Sequence, residues 1–261
     1  MKKLQSILHK FSQYRFLFCE LTKRDFKRKY KRTVLGMGWS ILSPLLTLLV
    51  MRIVFTQFFG RETPYYTTYL FAGNLFFNFF KESTKGGMNA LYSNASIITK
   101  IRVPKYLFLL SQNVSSIINF GITLVVFFLF AALDHITFTW KIVLMVYPIV
   151  YLVLFNIGVG LILSAMCVFF RDTQYLYDIF TMLLMYLSAI FYQVDLYPME
   201  LQRLFLLNPV YCAIKYVRLV VIDATIPSLQ FHGLMAFYAA VVLVIGGLIY
   251  KKLNRKFCYY L

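Results

Sequence analysis

Apolar residues along this chain come in six long runs separated by polar stretches, without the alternation that marks a half-buried strand. The runs are Val34 to Phe59, Tyr65 to Phe80, Tyr106 to Leu133, Ile142 to Phe170, Tyr175 to Tyr192, and Phe231 to Tyr250. A helix crossing a bilayer needs about 20 mostly apolar residues, so the pattern predicts an all-α polytopic membrane protein with six transmembrane helices. Ahead of the first run, Leu4, Ile7, Phe11, Tyr14, Phe18 and Leu21 recur at steps of three and four and form one stripe. Lys10, Gln13, Glu20 and Lys23 fall off that stripe. The spacing predicts an N-terminal amphipathic helix lying in the membrane interface. Residues 193–230 are too apolar and too long for a bare loop. Two short re-entrant helices between spans five and six, broken at Asn208-Pro209, account for their composition. Such backbone is tolerated at membrane depth only where protein or a cavity shields it. The chain thus divides into a basic interfacial segment over 1–33, a six-helix membrane region over 34–250 and a tail over 251–261, in a single transmembrane domain spanning 1–261.

Charge then orients these elements. The 261 residues carry 27 Lys+Arg against 10 Asp+Glu, a formal charge of +17. A basic balance of that size suggests nucleic acid in a soluble domain, but 60% hydrophobic and 14% charged residues argue against that class. If every run spans, one side receives 21 of the basic residues and the other five, with Arg52 inside the first span. By the positive-inside rule both termini are cytoplasmic.

Catalytic patterns are missing. His9, His135 and His232 fall far apart in this topology, and neither GxSxG nor HExxH occurs. Cys19, Cys167, Cys212 and Cys258 are scattered with no metal-ligand spacing, so no metal site and no catalytic residue is expected. There is no GxxxxGK[ST] loop, so any ATP that drives this chain is bound by another one.

Several residues remain as candidates for handling a ligand. Residues 23–32 place seven cations in ten positions. The run reads equally as an anchor to anionic lipid and as a site for an anionic lipid-linked substrate. On the second reading Arg24, Arg28 and Arg32, one helical face, meet the head group. Arg52 either snorkels to the nearer interface or faces a pathway. Phe76, Phe77, Tyr186 and Phe191 fall in mid-span, where rings serve helix packing or line a conduit along which sugar faces slide. Asn74, Asn78, Asn156, Thr181 and Ser188 add polarity within the spans.

Four ordered stretches resemble one family. The first is Arg24-Asp25-x-Lys27-x-Lys29-Tyr30-Lys31-Arg32-Thr33-x-Leu35-Gly36-x-x-Trp39 with Leu42-x-Pro44. The second runs from Asn94 through Ile98 to Lys100 and Val103-Pro104-Lys105. The third is Phe170-Arg171-Asp172-x-x-Tyr175 with Ser188-x-Ile190-Phe191-Tyr192. The fourth is Leu207-Asn208-Pro209 with Tyr216-x-Arg218. Together they resemble the integral membrane permeases of polysaccharide ABC exporters, which serve O-antigen, capsule and teichoic acid. Arg52 departs from the apolar residue expected there.

The resemblance implies a bacterial inner-membrane homodimer joined to two copies of an ATP-binding cassette subunit, which binds the ATP and Mg. It implies export of a polysaccharide carried on an undecaprenyl-type pyrophosphate lipid, surrounded by membrane lipids and without nucleic acid. Asn94, Ile98, Lys100 and Pro104 would lie on the segment that meets the ATPase. Arg171 and Asp172 would join that contact or form a structural salt bridge. Asn208 and Pro209 would mark an outer gate. Two rivals stand beside this reading. One is a small-molecule or drug exporter of the same broad fold. The other is a membrane-embedded transferase, which the near absence of carboxylates from the spans disfavours.

Overall fold

The computed structural model describes residues 2–31, 33–59, 65–101, 103–254 and 256–260, with side chains described from residue 14 onward except at 56–59 and 258. The described residues form helices and contain no strand. In chain order these are α1 (Lys2–Tyr30), α2 (Trp39–Phe59), α3 (Tyr66–Asn89), α4 (Ala95–Ile98), α5 (Tyr106–Leu133), α6 (Val146–Phe169), α7 (Thr173–Leu187), α8 (Met199–Phe205), α9 (Pro209–Val221), α10 (Leu229–Leu253) and α11 (Phe257–Tyr260).

Among the described residues, four helices are long and apolar enough to cross a bilayer: those at Gly36–Phe55, Tyr106–Leu133, Trp140–Phe169 and Leu229–Leu253. The pair α8 and α9, bent by 110°, adds a fifth if it is one broken span. The second and fifth sequence runs do not meet the same standard, for two different reasons. The 24-residue α3 carries Asn74, Asn78, Lys81, Glu82 and Lys85 along its length, so its polarity offsets its apolar face. The 15-residue α7 reaches only about 22 Å at 1.5 Å per residue, short of a hydrocarbon core of about 30 Å.

The core is built where α3, α5, α6 and α9 meet. Leu70, Phe71, Phe76, Phe127, Leu152, Ala213, Tyr216 and Val217 are fully buried there. Phe71 packs edge-on against Phe127 and Phe130, and Phe76 against Phe120. Two helices approach much more closely than side chains allow. A Cβ on Gly158 of α6 would lie 2.8 Å from the backbone N of Leu243, and one on Gly246 of α10 would lie 2.5 Å from the Gly158 carbonyl O. Small residues at such crossings let backbones touch, the packing mode that apolar solvent leaves available to membrane helices.

A second cluster closes one end of the bundle. Leu21 of α1, Leu91, Ile98, Phe108, Val168, Tyr250 and Phe257 are buried together. This is the basic end, since it carries α1, α4 and the tail. On the predicted stripe, Leu21 is buried and Tyr14 and Phe18 are half-buried, while Phe16 off the stripe is 80% exposed. The side chains of Leu4, Ile7 and Phe11 lie outside the described residues. The tail over 256–260 is not a free appendage: Phe257 packs against Tyr250 and Phe169, and Lys105 Nζ donates to the Asn254 carbonyl at 2.6 Å.

At the opposite end, Asp134 caps α3 from across the chain. Its Oδ2 accepts from the Thr68 amide at 3.1 Å and the Thr68 hydroxyl at 2.6 Å. A carboxylate at a helix N-terminus satisfies orphan amides and sits favourably in the helix dipole.

Candidate functional site: a polar groove and the layer beneath it

Three helices turn polar faces toward one another. On α2 the residues Ser40, Ser43, Pro44, Thr47 and Met51 recur at helical spacing and line one wall of a cavity of about 790 Å³. On α3 the wall is Phe71, Asn74, Asn78, Phe79, Lys81, Glu82 and Lys85. On α5 it is Ser116, Asn119, Phe120 and Thr123, again one helical face. Lys29, Tyr30, Thr33 and Trp39 close the basic end. From Asn74 to Lys85 the cavity follows α3 for about 16 Å, roughly half of a hydrocarbon core. Amides and hydroxyls between apolar helices cost free energy unless they face water or a polar ligand, so this cavity is suited to hydrophilic contents.

The basic mouth of this cavity is held by a short network. Tyr30 Oη donates to Asn119 Oδ1 at 2.6 Å, Asn119 Nδ2 donates to Glu82 Oε2 at 3.0 Å, and Lys29 Nζ meets the same Glu82 oxygen at 2.8 Å. The end of α1 is thereby tied to α3 and α5. Nearby, Lys85 Nζ meets both Asp178 oxygens at 2.6 and 2.9 Å and joins α3 to α7.

Below the mouth lies a layer that brings together residues expected to serve different purposes. Arg24 Nη2 donates to Asn94 Oδ1 at 2.7 Å, while Nε and Nη2 donate to Asp25 Oδ1 at 3.1 and 2.7 Å. Asp25 is buried and its other oxygen accepts from Ser111 Oγ of α5 at 2.8 Å. Asn94 is buried too, and its Nδ2 donates to the Ala90 carbonyl at 2.8 Å. Arg171 stacks over the Tyr92 ring at 5.0 Å from its centroid. Ile98 is buried in the end cluster, Pro104 is half-buried, and Lys100 and Asp172 are exposed. So α1, the segment over 92–98 and the start of α7 form one connected surface at the basic end.

Of the three arginines expected to share a ligand, the two that are described part company. Arg24 turns inward to Asp25 and Asn94, Arg28 is exposed and does not line the cavity, and Arg32 lies outside the described residues. The aromatics divide as well. Phe76 and Phe77 are buried in the core and stay off the cavity wall, because at 100° per residue both lie more than about 100° around α3 from the centre of its wall-lining face. Phe191 is buried and stacks on Phe55 at 4.4 Å, Tyr186 is 51% exposed, and Arg52 is exposed on α2, one step around from the cavity-lining Met51. The rings that do line the cavity are Tyr30, Trp39, Phe71, Phe79 and Phe120.

Asn208 and Pro209 sit at the tip between α8 and α9. Asn208 Oδ1 caps α9 by accepting from the amides of Val210 and Tyr211 at 3.0 and 3.3 Å, with Pro209 in the first turn where its missing N–H costs nothing. Its Nδ2 donates to the Leu187 carbonyl at 3.2 Å and to Ser188 Oγ at 3.0 Å, so the tip is stapled to the end of α7. Asn208 and Pro209 also line an apolar cavity of about 390 Å³ with Phe80, Phe155 and Tyr177.

Deeper in α9 lies a residue whose part in the architecture sequence reasoning missed. Arg218 is buried and its guanidinium lies 3.4 Å from the Tyr69 ring centroid. It donates to the carbonyls of Ala189 at 2.8 Å, Ile190 at 3.1 Å and Tyr69 at 3.2 Å. Gly73 packs opposite it, and a Cβ there would lie 2.8 Å from Arg218 Nη2 and 3.3 Å from the Ile190 Cα, so a side chain would displace the guanidinium. The available signal was an arginine interrupting the apolar run Val217 to Ile222.

Long apolar helices beside a groove with polar walls are those of a multi-pass membrane protein. The chain belongs to the ABC-2 type transporter family, whose model matches residues 17–222. It is similar to the O-antigen export system permease protein RfbA of Klebsiella pneumoniae, 27% identical over 247 residues that make up 92% of this chain and 93% of that one. It is also similar to the protein of the same name from Myxococcus xanthus, 26% identical over 255 residues, 96% of this chain and 97% of that one.

Proposed function

We propose that this chain is the transmembrane subunit of an ATP-driven exporter that moves a lipid-linked cell-surface polysaccharide out of the cytoplasm. The observation that carries the reading is the groove between α2, α3 and α5, lined by side chains suited to sugar hydroxyls and by aromatic rings suited to sugar faces. Relatives named as O-antigen export permeases, aligned over nearly the whole chain, support the same substrate class. In this reading the chain crosses the inner membrane six times, with α3 and α7 as the second and fifth spans and both termini cytoplasmic. The basic end then faces the cytoplasm. Two copies pair, and each meets one copy of a separate ATP-binding subunit that carries the ATP and Mg. The surface formed by Tyr92, Asn94, Arg171 and α4 receives the push of that subunit, and Arg24 passes it to α1.

The polymer, on an undecaprenyl-type pyrophosphate, enters at the mouth beside Tyr30 and Lys29 and slides along the groove. The α8–α9 tip at Asn208 and Pro209 serves as the outer gate. Deleting the gene tests this: lipid-linked polymer is expected to accumulate inside the cell while surface polymer is lost. Normal surface polymer with no internal accumulation would refute the reading.

A further inference from the structure

The cations around the groove are not equivalent, and their pairing singles one out. Lys29 is neutralised by Glu82, and Lys85 by Asp178 on α7. Arg24 is committed to Asp25 and Asn94 below the mouth. Lys81 also lines the cavity, and among the described residues it has no carboxylate within 4.0 Å. Glu82 beside it is held by Lys29 and Asn119, so its charge is already matched. Among the described residues that line it, the cavity is therefore left with one uncompensated positive charge, on the exposed Lys81 of α3 beside the mouth.

What stands above that charge is informative. Asn78 lies one turn from Lys81 on the same helix and Asn74 one turn further, linked by a 3.0 Å bond from Asn78 Nδ2 to Asn74 Oδ1. Both line the cavity, facing Ser116 and Thr123 of α5. An ammonium at the base and a column of amides and hydroxyls above it match a molecule with phosphate at one end and sugar beyond. We infer that Lys81 receives the diphosphate of the lipid-linked sugar as it enters the groove, with Asn78 and Asn74 taking the first sugar hydroxyls. The inference rests on the export reading above and moves the head-group contact from the arginines of α1 to a lysine of α3.

The residue type suits a transport step. A carrier has to release what it binds, and an ammonium is a compact point charge with rotatable donors, whereas an arginine fork fixes a phosphate in one bidentate geometry. A half-open wall of the membrane domain also strengthens the attraction over its value in bulk water.

The same phosphate chemistry could be offered by ordinary anionic phospholipid, and the test separates the two. The complete permease, purified with its ATPase subunit into neutral-lipid nanodiscs, is titrated with undecaprenyl pyrophosphate bearing one sugar, with phosphatidylglycerol and with inorganic pyrophosphate. Lys81→Gln is expected to weaken binding of the sugar-bearing lipid by about tenfold or more, the loss of one charged hydrogen bond. Arg28→Gln, at an exposed position off the cavity, is expected to leave it unchanged. Lys81→Cys is expected to bind weakly and to recover on aminoethylation, which restores an ammonium on the same folded protein. Phosphatidylglycerol and free pyrophosphate are expected to compete poorly. Wild-type affinity in Lys81→Gln, no recovery on aminoethylation of a weakened Lys81→Cys, or equal competition by phosphatidylglycerol would overturn the site while leaving the export reading intact. Failure of the wild-type complex to bind the sugar-bearing lipid would overturn the export reading itself.

Discussion

Replacing Arg218 with methionine should open the connection between α7 and α8. The guanidinium gives hydrogen bonds to three carbonyls, two of which, on Ala189 and Ile190, have no other backbone or side-chain donor among the described residues. The Tyr69 carbonyl lies inside α3, so its helix bond remains. Methionine restores the desolvation energy of a buried cation, several kcal/mol, but strands those two carbonyls at about 1–3 kcal/mol each. It also loses the stacking on Tyr69, worth about 2 kcal/mol when desolvated. Ala189 is held at φ +48°, a left-handed conformation that costs an alanine about 1–2 kcal/mol and persists only while its surroundings enforce it, so its release offsets part of the loss while favouring local opening. The net expectation is a loss of about 2 kcal/mol. Unfolding of the purified protein in mixed micelles by graded SDS measures it, alongside the thiol reactivity of Ala189→Cys in both backgrounds. Stability within about 1 kcal/mol of the parent, with Ala189→Cys unreactive in both, would refute the argument that this arginine fixes the connector.

Four other changes follow from the same contacts. A double-mutant cycle between Arg24→Ala and Asn94→Ala should return a coupling of about 1 kcal/mol, as expected for a partly exposed charged hydrogen bond. A value near zero would disconnect α1 from the 92–98 segment. Gly158→Ala should cost about 1–3 kcal/mol, since its Cβ would press on the backbone of α10 at 2.8 Å; unchanged SDS resistance would contradict that crossing. Tyr30→Phe should loosen the mouth by removing the bond to Asn119, read as faster modification of a thiol placed one turn away on the cavity wall, Ser116→Cys, on a Tyr30→Phe background than on a Tyr30 background; equal rates would contradict the network. Burial, and then the neighbouring Asp195, push the Asp223 carboxyl upward. A folded-state value above the unfolded one means its contribution is complete below the ordinary aspartate value of about 3.9 and is lost as pH rises through the raised value. Asp223→Asn should therefore flatten the fall in stability just above pH 4, and an unchanged profile would contradict the burial.

The long helices were legible because bilayer-length apolar runs need no partner to be recognised. The helix at Tyr106–Leu133 was read to the residue, and the break at Asn208-Pro209 lies where an asparagine cap and a proline at the first helical position dictate. The groove was half visible. Asn74 and Asn78 stood out as polar residues in an apolar run, yet the α2 wall of Ser40, Ser43 and Thr47 looks like ordinary helix filler until α3 and α5 are placed against it. Which aromatics line the cavity depends on helix rotation, and a shift of two positions along α3 turns a wall residue into a core one, as Phe76 and Phe77 demonstrate. The arginine face of α1 failed as a guide for another reason. Spacing places Arg24 and Arg28 on one face, but a buried Asp25 next in sequence and Asn94, 70 residues away, take Arg24 out of use. Long-range pairings of that kind leave no local pattern.

In the proposed export cycle the groove between α2, α3 and α5 is the polymer's path. It is tested most directly by single cysteines at Thr47, Asn74 and Asn78, with Phe77→Cys as a control on the same helix, treated with a hydrophilic thiol reagent in cells that are exporting. The three groove positions are expected to react, bulky modification there to stop surface polymer from appearing, and Phe77→Cys to stay unmodified. Unreactive groove thiols, or full modification with export undiminished, would contradict it.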